Sequence, residues 1–177
     1  MKAKNTSKSL TLSAMFLAMA FVLPFLTGSI PQIGSMLCPM HIPVLLCGFF
    51  CGGPWGAAVG AIAPILRSAI FGMPPMFPTA ICMTFELAVY GLIAGWLHNR
   101  LPKKKIYVYV ALLIAMIAGR IVWGAAMFCC MGLDPSAFGL EAFFAASVLN
   151  AIPGIILQII LIPIIVIRLK KQFGTRN

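Results

Sequence analysis

The stretch 77–131, FPTAICMTFELAVYGLIAGWLHNRLPKKKIYVYVALLIAMIAGRIVWGAAMFCCM, decides the fold. It holds two long apolar runs separated by a short loop carrying Arg100, Lys103, Lys104 and Lys105. A run of about 20 apolar residues matches the hydrocarbon thickness of a bilayer. Basic residues gathered between two such runs mark a loop kept on the cytoplasmic side. One charge interrupts each run, Glu86 in the first and Arg120 in the second. A charge at the bilayer centre costs about 2.5–3.5 kcal/mol on insertion scales, so such residues face a bundle interior and are kept for function or for a partner.

The rest of the chain repeats this pattern. Of its 177 residues, 62% are hydrophobic and 9% charged, and the mean hydropathy is +1.04. A soluble domain of this size cannot hide that much apolar surface, so the lipid bilayer must be its solvent. The reading is an all-α integral membrane protein, one domain over residues 1–177, with six transmembrane helices. The expected spans are 10–26, 39–51, a third from the turn at 52–54 to about 71, then 77–98, 106–131 and 142–168. Gly52-Gly53-Pro54 and Gly72-Met73-Pro74-Pro75 supply the breaks on either side of the third. Residues 1–26 resemble a signal peptide in charge and hydropathy, but the run is span-length and no A-x-A cleavage site follows, so they read as a retained helix. The net charge of +10 does not point to nucleic acid. Lys2, Lys4 and Lys8, the 100–105 loop, and Arg168, Lys170, Lys171 and Arg176 all flank spans. With six spans these clusters share one side, which places both termini in the cytoplasm. The opposite loops, near 27–38, 72–76 and 132–141, hold no Lys or Arg but do hold Asp134 and Glu141.

Depth along the helices then groups the intramembrane polar residues. At 1.5 Å of rise per residue, Arg67 lies near the outer end of its helix. Glu86, Arg120 and Asn150 each lie about two turns below the outer end of theirs, and His41 begins the second helix at that level. Tyr90 shares a face with Glu86, and Trp123 lies one turn from Arg120. Gln158 lies deeper. Guanidinium groups, a carboxylate, an amide and aromatic walls suit a small polar metabolite with a carboxylate or phosphate. Arg67, Glu86 and Arg120 sum to +1, which favours an anion. Structural roles compete at each position. Glu86 pairs equally well with either arginine, Arg67 can snorkel outward, Asp134 or Glu141 can neutralise an arginine, Asn150 can bond between helices, and His41 can sit at a rim.

Other chemistries lack their residues. There is no G-x-x-x-x-G-K-[ST] loop, no paired-histidine zinc motif and no serine–histidine or paired-carboxylate arrangement, so no enzyme activity and no cofactor are expected. The six cysteines include no CxxC pair; most fall in apolar spans, where cysteine acts as a small hydrophobe, and no metal is expected.

Two glycine- and alanine-rich stretches complete the reading. Ala14-x-x-x-Ala18 lines the first helix and Gly56-x-x-x-Gly60 the third, and small faces let helices approach closely. With the run GFFCGGPWGAAVG at 48–60 and six spans in about 180 residues, the chain resembles the substrate-binding S components of energy-coupling-factor (ECF) vitamin transporters over nearly its whole length. The resemblance implies a transmembrane T component and two ATP-binding-cassette ATPases as partners in a bacterial plasma membrane. It also implies that Ala14 and Ala18 contact the T component, and that the loop 27–38 closes over the substrate. Family substrates include thiamine, riboflavin, biotin, folate, pantothenate and pyridoxine-type compounds. The surplus positive charge makes a pantothenate-like anion the best match. The starting residues Met1-Lys2 depart from the Met-His of the cobalt and nickel members. The competing expectation is a stand-alone proton-coupled transporter with Glu86 as its acid, although no inverted repeat is evident.

Overall fold

The structure is a computed structural model, and it describes residues 6–26, 39–102, 104–131 and 152–174. Among the described residues six α-helices follow one another: α1 (Thr6–Leu26), α2 (His41–Cys51), α3 (Gly53–Phe71), α4 (Ile81–Arg100), α5 (Lys105–Met131) and α6 (Ile152–Gly174). There is no strand among the described residues, so the all-α expectation holds. Five helices are long and apolar enough to cross a membrane. The sixth, α2, has 11 residues and rises about 16 Å, roughly half a hydrocarbon core. Residues 142–151, expected to open the last span, lie outside the described residues.

Local chemistry sets the helix ends. The apolar run at 77 was expected to be helical from its first residue, yet α4 begins at Ile81. Phe77 is extended, with φ −118° and ψ 135°, because Pro78 disfavours helical geometry in the residue before it. A wide turn over Met76–Ala80 bridges the gap, and the Ala80 N–H donates to the Pro75 carbonyl at 2.9 Å.

Burial explains the bundle. Nine consecutive residues of α2, His41–Phe49, are buried, and α2 packs against α1, α3, α4 and α6. A helix apolar on every side belongs in the middle. α3 and α4 approach along a glycine seam. A Cβ added to Gly56 would lie 2.7 Å from the Gly91 carbonyl oxygen, and one added to Gly91 would collide with the Gly56 backbone. The Gly56-x-x-x-Gly60 face therefore serves internal packing, as its spacing suggests. On α5 the buried positions Val108, Ala111, Leu112, Ala115, Met116, Gly119, Trp123 and Met127 recur at helical spacing, and this stripe holds the helix against the core. The outward faces stay greasy: Ile114, Ile117, Ile121 and Phe128 of α5 and Ile156, Ile160 and Ile164 of α6 are all exposed. Such a band suits lipid rather than water.

Candidate substrate site

Three helices meet at one carboxylate. Glu86 projects from the second turn of α4 and is only 1% exposed. Its Oε1 lies 3.3 Å from Nη1 of Arg120 on α5. The same oxygen lies 3.5 Å from Nε2 of His41, the first residue of α2. Buried ions are tolerated only when paired, and removing one partner of a buried pair costs about 3–5 kcal/mol. Tyr90, one turn beyond Glu86 on α4, sets its ring edge-on to the His41 ring with centroids 5.3 Å apart. The aromatic wall expected beside Glu86 is therefore present, and His41 is buried inside the cluster rather than at a rim.

Gly119, which sequence reasoning passed over, makes room for that wall. A Cβ there would lie 2.5 Å from Cε1 of Tyr90. The bare backbone of α5 thus receives the Tyr90 ring directly beside Arg120. The available signal was a glycine next to a charge in an otherwise apolar helix, a position where glycine usually has a packing reason.

The remaining candidates divide. Trp123 is buried with Cys82 and Met127 on the side of the cluster toward the Met76 end of α4. Gln158 of α6 is 1% exposed, and its Oε1 has no hydrogen-bond partner among the described residues. His41 Nδ1 is likewise buried and without a hydrogen bond among them. Buried polar atoms are rarely left so, and a guest molecule can satisfy them. Asn150 lies outside the described residues, as do the loop 27–38, Asp134 and Glu141.

Arg67 departs from expectation. Its depth suggested a place beside Glu86, but its Nη1 donates to the Phe21 carbonyl of α1 at 3.0 Å. Its guanidinium lies 5.1 Å from the Phe25 ring centroid and 5.5 Å from that of Phe71. Cation–π attraction to these two rings holds the side chain there. Arg67 therefore clamps α1 to α3, and its charge does not join the Glu86 cluster.

On α1 the inward side is Ser13, Phe16 and Ala20, all buried, while Ala14 and Ala18 are exposed. Their small-residue stripe points away from the bundle.

No curated protein and no solved structure matches the chain. The family model described as the ECF transporter substrate-specific component matches residues 8–169, so the chain belongs to that family.

Proposed function

We propose that this chain captures a small water-soluble vitamin or related metabolite on the outer face of a bacterial plasma membrane, for ATP-driven uptake with partner subunits. Members of its family are transport-binding subunits, not enzymes, and the family implies a T component, ATPases and a small-molecule substrate. The observation that carries the reading is the buried Glu86 carboxylate, met at one oxygen by Arg120 and His41. Four side chains from three helices, His41, Glu86, Tyr90 and Arg120, form the core of the binding site. Trp123, Gln158 and Asn150 complete its walls. Arg67 ties α1 to α3 outside the site, and the loop 27–38 acts as the lid. Both termini lie in the cytoplasm and α2 serves as a short sixth span.

The specific reading is a pantothenate-like carboxylate. Its carboxylate engages Arg120, and its hydroxyl and amide groups engage Asn150 and Glu86. With Arg67 engaged at α1, the charge balance rests on Glu86, Arg120 and His41. That set is neutral with a neutral imidazole and +1 with an imidazolium. Equilibrium binding of carboxylates compared with their neutral amides reads the guest's charge directly: a preference for the carboxylate supports an anionic guest, and its absence supports an uncharged or zwitterionic one.

The exposed Ala14 and Ala18 form the docking stripe for the T component. A proton-coupled carrier is the second reading, favoured by the contact between Glu86 and the titratable His41. Uptake by reconstituted vesicles separates the two. An S component binds alone and transports only with its ATPase module, whereas a carrier transports alone and follows a pH gradient.

A further inference from the structure

Three sulfur atoms converge where α4 and α5 meet beyond the Glu86 cluster. Cys82 Sγ lies 3.8 Å from Met127 Sδ and 3.9 Å from Cys130 Sγ. Met127 and Cys130 are three residues apart on α5 and so stand on one face. Cys82 is fully buried and Met127 nearly so. Trp123, Met83 and Ala126 pack around them. No three His, Cys, Asp or Glu side chains converge on a metal position among the described residues; here a thioether completes a set that two cysteines begin.

The geometry points to a site for a soft monovalent metal ion of the copper(I) type, held by Cys82, Met127 and Cys130. Two sulfurs about 3.9 Å apart can each lie about 2.2–2.3 Å, the length of a metal–sulfur bond, from one trigonal ion, and Cys82 stands at 3.8 and 3.9 Å from its two partners. Thiolate ligands select copper(I) or zinc over magnesium or calcium, and a three-sulfur set that includes a thioether suits copper(I) rather than four-coordinate zinc. Binding expels the thiol protons to solvent and leaves metal–thiolate bonds with no change of oxidation state. Cys82 sits one turn from Glu86 on α4, and Trp123 separates the sulfurs from Arg120 on α5. A bound ion therefore ties α4 to α5 beside the substrate cluster. The site stands on sulfur geometry alone and does not depend on the transport reading.

The test uses the full chain, purified under reducing conditions in detergent and titrated with copper(I) buffered by bathocuproine disulfonate. One chelator-resistant copper per wild-type chain is expected. Cys82→Ser should abolish it, and Cys47→Ser, on α2, should retain it. X-ray absorption of the loaded wild type should show three sulfurs at about 2.2–2.3 Å, falling to two in Met127→Leu. Failure of the reduced wild type to hold copper overturns the site, as does equal retention by Cys82→Ser or a two-sulfur shell in the wild type. Should Cys82→Ser fail to fold, the wild-type sulfur count and the Met127→Leu variant decide.

Discussion

Glu86 and Arg120 need each other, because neither ion is tolerable alone in a buried, low-dielectric setting. Arg120→Ala should weaken substrate binding about 10- to 150-fold, the equivalent of one charge-assisted hydrogen bond of roughly 1.5–3 kcal/mol. Arg67→Ala should leave affinity close to wild type while lowering thermal stability, since its partners are Phe21, Phe25 and Phe71. Equilibrium binding and a melting curve on both variants check this, and a larger affinity loss for Arg67→Ala would refute the assignment. Gly119→Ala should push the Tyr90 ring off α5 and into the cluster. It should therefore lower affinity with little effect on expression, measured by the same binding assay. The cost of a charge in lipid made Glu86 and Arg120 legible in the sequence. The direction of Arg67 was not, because spacing gives depth along a helix but not which neighbour supplies a carbonyl and two aromatic faces. Gly119 escaped notice because its meaning depends on a ring contributed by another helix.

Helix boundaries show the same division. The end of α3 at Phe71, and the spans around the basic loop, follow from glycine, proline and charge. The late start of α4 follows from Pro78, a local effect outweighed in the sequence by apolar periodicity. The centrality of α2 is a packing result: its residues read as a short span, and only its neighbours show that it is enclosed on all sides. The glycine seam carries a prediction of its own. Gly91→Leu should force α3 and α4 apart and lower the apparent melting temperature, because overpacking a tight contact costs about 1–3 kcal/mol or more. A variant as stable as wild type would mean that the helices do not approach this closely. On α1, Ala14→Trp or Ala18→Trp adds bulk to an exposed face that the bundle does not use. Substrate binding should persist while uptake by the assembled transporter is lost. Uptake at wild-type rate would remove the docking role from this face.

At the scale of the molecule, an apolar exterior encloses a small polar cluster formed by α2, α4 and α5. The exterior was plain from composition. The cluster was legible as a depth, but its membership changed once Arg67 turned toward α1, and with it the surplus charge that first favoured an anion. The family assignment makes the chain a substrate-specific component, and the cluster is where its specificity should reside. Mass spectrometry of small molecules released from the purified protein, compared with its Arg120→Ala variant, tests that claim most directly. One vitamin-like compound should be recovered at one per chain from the wild type and be lost from the variant. Equal recovery from both proteins, or none from wild type saturated with a panel of water-soluble vitamins, would contradict it.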